Sequence, residues 1–325
     1  MKKQFLLRST SMSAMISKKK LFACLLCVSV CIILKKHVAN MVLTHFPQRS
    51  CKKCLPECDL GAMKRFNKSV EPFLSAKCTL SEVAFTWWKG LQNEKRDFIS
   101  YKATVDHLLK MFPAAPDVVG ASPDRCRTCA VVGNSANLKG SLYGTLIDFH
   151  DVIIRMNQGH TKGYEADVGT RTNIHIMYPE SAIDLDDNTH LVLVPFKIMD
   201  LEWLIQAFTT GFTGESYRPI KSKIKANKDM VMVVNPDFMR YVHETWLEKK
   251  GTYPSTGFMA FVLALHICDE VHVFGYGADK DGNWDHYWEK LTDPNLRTGI
   301  HPGIDEYKII QQLAEKQIVT FYTGL

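Results

Sequence analysis

From Pro116 onward the chain alternates short apolar runs with stretches of helical periodicity, and this alternation restricts the possible fold more than any other feature of the sequence. The runs are CAVVG (129–133), DVIIRMN (151–157), THLVLVPF (189–196), DMVMVVN (229–235), EVHVFGYG (270–277) and QIVTFY (317–322). Several are apolar at successive positions, the pattern of strands buried on both faces. Between them lie the helix candidates DLEWLIQAFTTG, PDFMRYVHETWLEKKG, STGFMAFVLALHICD and HPGIDEYKIIQQLAEK. The expected object is an α/β domain: one mostly parallel, Rossmann-type sheet with helices on both faces. Ahead of it, RFNKSVEPFLSAK and VAFTWWKGLQNEKRDFISYKATVDHLLKMF carry apolar residues at helical spacing, so residues 61–113 read as helical. Trp87 and Trp88 read there as core packing.

The net charge of +6 is misleading, because residues 1–36 hold eight Lys or Arg and no acidic residue, leaving the rest close to neutral. Such a body lacks the clustered positive surface that binding nucleic acid requires. The basic tail frames an apolar run, LFACLLCVSVCIIL (21–34), between Lys18-Lys19-Lys20 and Lys35-Lys36. Fourteen helical residues reach about 21 Å against a hydrocarbon core of roughly 30 Å. Snorkelling lysines and a thin early-secretory bilayer close that gap. A cleaved signal peptide is the rival reading, but Lys35, Lys36 and His37 stand where a small-x-small site belongs. Six basic residues before the run against two after it place the N-terminus in the cytosol and the body in the lumen. The expected organisation is a cytoplasmic tail (1–20), a transmembrane signal anchor (21–34), a lumenal stem with the cysteine cluster SCKKCLPEC (35–60) and a lumenal catalytic domain (61–325). The sequon Asn67-Lys68-Ser69 fits a lumenal, glycosylated body.

Seven cysteines fall in that body: Cys51, Cys54, Cys58, Cys78, Cys126, Cys129 and Cys268. An oxidising lumen favours disulfides, and an odd number leaves one unpaired or bonded between chains. The pair in CRTCAVVGNSANLKGS (126–141) also has the form of a redox motif or half a zinc site. Zinc shared with Cys51-x-x-Cys54 would need a 71-residue spacer, and a thioredoxin-like pair would follow a strand, whereas this one precedes it.

Ligands of such sheets sit beyond the C-terminal ends of the strands. The first of these ends is Gly133-Asn134-Ser135, followed by a helix candidate ANLKGSLYGTLIDFH; glycine allows close backbone approach and a helix N-terminus favours an anion. GNSANLKG lacks the G-x-G-x-x-G of dinucleotide binders, which weakens an oxidoreductase reading. Arg155-Met156-Asn157 ends the second run on the same rim. At YPSTG, Ser255, Thr256 and Gly257 open a helix and either cap it or cradle a phosphate. NWDHYWE (283–289) packs His286 among Trp284, Tyr287 and Trp288, and HPGIDE (301–306) places His301 before a helix with Glu306 facing the same cleft. Two histidines near strand ends are acid/base candidates. Asp184-x-Asp186-Asp187 has the form of a metal-binding Asp-x-Asp but lies in the turn AIDLDDNTH, where a solvated acidic loop is the expectation.

Together these blocks resemble the four sialyl motifs of the family 29 sialyltransferases. CRTCAVVGNSANLKGSLYGTLIDFHDVIIRMNQGHTKGYEADVGTRT resembles the large motif, YPSTGFMAFVLALHICDEVHVFGYGAD the small one, and HYWE and His301-x-x-x-x-Glu306 the other two. The similarity runs from 51 to 325, and LVPFK, DLEW, YPSTG and GNWDHYWE are most similar to the β-galactoside α-2,3 branch acting on Galβ1-3GalNAc.

That resemblance implies a GT-A-like sheet in a single-pass type II Golgi membrane enzyme. The implied reaction moves sialic acid from CMP-sialic acid to the galactose 3-hydroxyl of glycoproteins or glycolipids, with inversion and without metal or other cofactor. Asn134, Ser135, Asn157, Ser255, Thr256, Gly257 and Gly277 would hold the donor, His286 its phosphate; His301 would be the general base. Gln92, Tyr217, Tyr253 and Trp284 match acceptor-contacting positions. The resemblance also implies disulfides Cys129–Cys268, Cys54–Cys126 and Cys51–Cys58, leaving Cys78 odd. The chemistry is coherent, because loss of a single stabilised phosphate through an oxocarbenium-like transition state needs fixed donors and one aimed base. Two departures touch acceptor choice: Asp285 stands where the branch has histidine, and the segment from Glu289 to His301 is about two residues short. The competing readings are a lumenal glycan- or nucleotide-binding protein without turnover, and an enzyme preferring Galβ1-4GlcNAc.

Overall fold

The computed structural model describes residues 65–112, 126–291 and 299–324. The expected tail, anchor and stem lie outside the described residues, and among those described no helix is long and apolar enough to cross a membrane. The sheet has seven strands: β1 Thr128–Val132, β2 Val152–Met156, β3 Ile174–Met177, β4 His190–Leu193, β5 Val231–Val233, β6 Glu270–Phe274 and β7 Thr320–Tyr322. Their order is β5-β4-β3-β2-β1-β6-β7, with every pairing parallel. Chain order runs outward from β1 on one side and resumes at β6 on the other, so the topological switch point lies between β1 and β6.

Six strands coincide with the six apolar runs, β1 starting one residue earlier at Thr128. The additional strand, β3, was hidden because His175 interrupts its apolar residues; it is buried at all four positions. Burial is affordable because the imidazole finds a backbone partner, described below. Of the helices, α1 Glu82–Leu91 and α2 Phe98–Met111 precede the sheet, each begun by a side-chain cap, Ser81 and Asp97. Trp88 is fully buried and its indole donates to the Pro195 carbonyl at 2.7 Å, as core packing predicted. RFNKSVEPFLSAK is not helical: it forms turns, and Phe73 bridges antiparallel to Val234. Pro72 within it has no N–H for a helix ladder.

The long helix expected after Gly133-Asn134-Ser135 is also absent. A 3-10 turn, Ala136–Leu138, is followed by a break and then α3, Gly144–Asp148. Gly140 and Leu142 sit at φ 80° and 58°, outside helical geometry, and Asp167 accepts from both of their N–H groups. The short α4 Glu165–Val168 carries that carboxylate. The remaining helices are α5 Ile198–Ala207, α6 Pro236–Tyr241 continued by a π turn Val242–Trp246, α7 Thr256–Ile267 and α8 Gly303–Glu315. Buried on every side, α7 packs on β1, β2, β3 and β6, and each of its phenylalanines, Phe258 and Phe261, contributes about 2–3 kcal/mol of burial.

A disulfide joins Cys129 in β1 to Cys268 at the end of α7, with Cα atoms 6.0 Å apart and 139 residues between them in sequence. In the chain-entropy model, closing such a loop stabilises by about 5 kcal/mol. Cys126 is disulfide-bonded as well, while its expected partner Cys54 and the expected Cys51–Cys58 bond lie outside the described residues. Cys78 is a free thiol, as expected for the odd cysteine. Asn67 is exposed, so its amide is open to glycosylation.

Candidate active site

At the switch point the turns after β1 and β6 are pressed together. The Gly133 N–H donates to the Phe274 carbonyl at 2.8 Å and the Ser135 N–H to Gly275 at 3.1 Å. A Cβ on Gly133 would stand 2.3 Å from the Gly275 oxygen and 3.0 Å from the Tyr276 ring, so this position admits only glycine without displacement of the backbone. Tyr276 donates its hydroxyl to the Gly257 carbonyl at 2.7 Å and reaches the Met156 sulfur. The tyrosine thus ties the rim of β2 and the mouth of α7 to the turn after β6. Gly277 sits at φ 89°, and a Cβ there would meet Tyr307 at 2.4 Å.

Asn134 and Ser135 follow β1 directly. The Asn134 amide donates to the Met156 carbonyl at 3.3 Å, and its own carbonyl accepts from the Tyr287 N–H at 3.0 Å. Ser135 forms an antiparallel bridge with His286, which brings HYWE onto the β1 turn. Within HYWE, His286 Nδ1 donates to Glu289 Oε1 at 2.8 Å, and the ring stacks on Trp288 at 4.6 Å. A carboxylate only accepts, so Nδ1 carries the proton and Nε2 is left for a ligand.

Asn157 takes φ 54°, a left-handed conformation that asparagine tolerates. His175 holds it there: Nε2 donates to the Asn157 carbonyl at 2.7 Å, and burial pushes the imidazole down to about 4, so it stays neutral. Ser181 donates to Asn157 Oδ1 at 3.1 Å, which orients the amide. Across the rim, Ser255 caps α7 by accepting from the Phe258 N–H at 3.0 Å. Glu306 does not face the cleft as its spacing suggested. It is buried, and its two oxygens accept from the Ser255 N–H at 2.7 Å and hydroxyl at 2.6 Å. One helical turn into α8, the carboxylate is aimed at the α7 mouth, and burial pushes it up to about 7.

His301 lies between the two halves of the rim. Its Nδ1 donates to the Tyr253 carbonyl at 3.2 Å and its ring meets the Tyr253 ring edge-on at 5.0 Å. A carbonyl only accepts, so the neutral imidazole carries its lone pair on Nε2. Burial lowers the pKa and favours that neutral, basic form.

The expected acceptor residues are brought together in part. The Gln92 side chain lies beside the Tyr253 hydroxyl, and Tyr217 beside that of Tyr178. Beside them stand Glu180 and Lys197, with Tyr178, Phe196 and Tyr253 in contact as rings. None of Tyr178, Glu180 and Lys197 was legible as a site residue; YPES and VPFK look like strand exits, and no spacing links them to Gln92. Trp284 is half-buried. Asp285, the departure before His286, accepts from the Leu291 N–H at 2.9 Å and its carbonyl from Ala136 at 2.9 Å. The shortened stretch 292–298 lies outside the described residues. In the acidic loop, Asp184 pairs with Lys221 at 2.6 Å and Asp186 caps Asn188 and Thr189, the solvated-loop arrangement. Among the described residues no group of three His, Cys, Asp or Glu could hold a metal ion.

The model of glycosyltransferase family 29 (sialyltransferase) matches residues 73–318, which takes in β1 to β6 and the candidate site residues above. The chain belongs to this family. Its relatives include the CMP-N-acetylneuraminate-beta-galactosamide-alpha-2,3-sialyltransferase 1 of Gallus gallus, 42% identical over 293 residues covering 87% of this chain and 84% of the relative. The Homo sapiens protein of that name is 40% identical over 281 residues, 85% of this chain and 82% of its own. A crystal structure of a mammalian sialyltransferase in complex with Gal-beta-1-3GalNAc-ortho-nitrophenol superposes with a TM-score of 0.77 at 41% identity, covering 85% of this chain and 99% of that one. As a family 29 enzyme, a glycosyltransferase, this sialyltransferase carries its four motifs at one rim of the sheet.

Proposed function

We propose that this enzyme transfers sialic acid from CMP-sialic acid to the galactose 3-hydroxyl of Galβ1-3GalNAc on glycoproteins or glycolipids, inverting the configuration and needing no metal. The observation that carries the reading is His301, its Nδ1 proton tied to the carbonyl of Tyr253, its ring against that of Tyr253 at the acceptor cluster, and its pKa lowered by burial. The relatives' names and the sugar in the superposed complex support the acceptor class. Asn134, Ser135, Asn157, Ser255, Thr256, Gly257 and Gly277 hold the nucleotide and phosphate. Gln92, Tyr217, Tyr253 and Trp284 hold the disaccharide.

In the step, His301 Nε2 takes the proton of the 3-hydroxyl as its oxygen bonds to the anomeric carbon of sialic acid. The bond from that carbon to the phosphate oxygen breaks, and its electron pair leaves with CMP. His286 Nε2 bonds the departing phosphate, and Glu289 behind it stabilises a positive imidazole. Because the leaving group is a phosphate monoester dianion once released, one cationic imidazole and fixed N–H donors stabilise it.

The enzyme resides in the Golgi membrane as a single-pass type II protein, a placement supported by the flanked apolar run 21–34 and by the Cys129–Cys268 disulfide. The test is transfer from CMP-sialic acid to Galβ1-3GalNAc and Galβ1-4GlcNAc acceptors side by side. Preferential sialylation of the first is expected. Preference for the second sinks the acceptor assignment, and binding of CMP without transfer to either sinks the reaction.

A further inference from the structure

Beside the acceptor residues lies a buried ionic cluster that the mechanism above does not use. Lys197, Glu180 and Asp200 expose 15%, 3% and 1% of their side chains. Lys197 Nζ donates a hydrogen bond to Gln92 Oε1 at 3.0 Å and forms ion pairs with Asp200 Oδ1 at 2.9 Å and Glu180 Oε1 at 3.5 Å. We propose that Lys197 is the positioning residue of the acceptor site, fixing the orientation of Gln92 and the seat of Tyr217 and so setting affinity for the acceptor sugar.

Two paths lead from this cation to groups assigned to the acceptor. A lysine only donates, so Lys197 fixes Gln92 Oε1 as the acceptor and turns the amide NH2 toward the Tyr253 hydroxyl. Gln92 therefore presents a donor, not an acceptor, on the side of Tyr253. In the other direction, Glu180 accepts from the Ser216 hydroxyl, and Ser216 precedes Tyr217 in the chain. Tyr217 is 66% exposed and has little packing of its own, so this anchor limits where it can stand.

The cluster is also held rigid. Asp200 accepts from the Phe196 N–H at 2.7 Å and the Lys197 N–H at 3.3 Å, which fixes the start of α5. Glu94, two residues past Gln92, accepts from the Ile198 N–H at 2.9 Å and from Arg96. The end of α1 is thereby stapled to the residue next to Lys197, and the Lys197–Gln92 distance cannot drift.

The inference rests on the proposed acceptor reading, and its test separates the two. Steady-state kinetics would compare wild type with Lys197→Gln and Lys197→Arg, varying CMP-sialic acid and Galβ1-3GalNAc in turn. Lys197→Gln is expected to raise the acceptor KM about tenfold, the scale of a misdirected hydrogen bond in a binding site, with the donor KM within twofold. Lys197→Arg keeps the charge and the fold but not the point ammonium at the convergence of Gln92, Asp200 and Glu180, and an acceptor KM raised about threefold is expected. Equal changes in donor and acceptor KM, or an unchanged acceptor KM in Lys197→Arg when Lys197→Gln fails to fold, would reduce the cluster to a structural role and overturn the proposal. Failure of the wild type to use Galβ1-3GalNAc would instead overturn the acceptor reading.

Discussion

The two halves of the rim are built from different materials. On the donor side, the contacts are made by backbone, glycine and neutral side chains: Gly133 against Gly275, Asn134 on Met156, Asn157 held by a neutral His175, Ser255 at the mouth of α7. The acceptor side is organised by buried charge, with Lys197, Glu180 and Asp200 behind a layer of Gln92, Tyr178, Tyr217 and Tyr253. The difference follows from the ligands. A nucleotide phosphate brings its own charge and is best met by fixed N–H and hydroxyl dipoles, whereas a neutral sugar offers only hydroxyls and needs partners of defined donor or acceptor sense. Ions placed behind the partners supply that definition without touching the sugar.

His301 stands where the halves meet, and removing it should give the largest effect. His301→Ala is expected to lower kcat about 1000-fold while leaving CMP affinity within a few-fold, measured by single-substrate kinetics and CMP titration. In wild type, desolvation disfavours the imidazolium, so the base remains neutral below the ordinary histidine value of 6.5. The acid limb of kcat/KM should consequently fall below pH 6.5, and residual activity of the variant should lack it. Activity of the variant near the wild-type level would show that the two halves meet around some other group.

The donor half should be broken next most severely by Gly133→Ala. The added Cβ meets backbone oxygen at 2.3 Å, so β1 and β6 must part rather than a side chain rotate. A cost of about 1–3 kcal/mol in stability and at least a tenfold rise in donor KM, with acceptor KM little changed, is expected. This is the mirror image of the split expected for Lys197. If both substitutions changed both constants alike, the rim would act as one unit and the division into halves would be wrong.

Legibility in the sequence divided along the same line. Donor-side residues are contiguous with strand ends or a helix start, and these can be found from apolar runs and capping residues, so Asn134, Ser135, Asn157 and the Ser255 turn are legible in sequence as rim positions. The tie between the halves was not visible: Tyr276 reads as one more aromatic in EVHVFGYG, yet its hydroxyl spans 19 residues to Gly257. Acceptor-side residues come from α1, the turns after β3 and β4, a loop before β5 and the approach to α7, and no local pattern relates such distant segments. Resemblance to the family supplied Gln92, Tyr217 and Tyr253; it includes Lys197 as the last residue of LVPFK but gives it no role. The same limit applies to β3, where a buried histidine with a specific backbone partner imitates a polar loop. Glu306 was assigned to the cleft from its spacing to His301, because the spacing of an α-helix gives a direction but not the depth of its surroundings.

The smallest effect on activity is expected at Glu306, and it sharpens the comparison because this carboxyl is a buried ionisable group in the donor half. Burial raises it from an ordinary 4.5 to about 7, so the folded state binds a proton that the unfolded chain releases. Its contribution to stability is therefore fully present below about pH 4.5 and is lost as the pH rises toward 7, an amount on the order of 1–3 kcal/mol. Glu306→Gln keeps an oxygen for the Ser255 N–H and removes the titration. Thermal unfolding between pH 4.5 and 7 should thus show wild type losing stability relative to the variant, while transfer activity at pH 6.5 stays within about twofold. Retained activity would mean that a neutral acceptor suffices to hold the α7 mouth, and that the donor half needs no buried carboxylate there. A loss of tenfold or more, with the fold intact, would mean that the carboxylate form is required, and buried charge would then organise both halves of the rim.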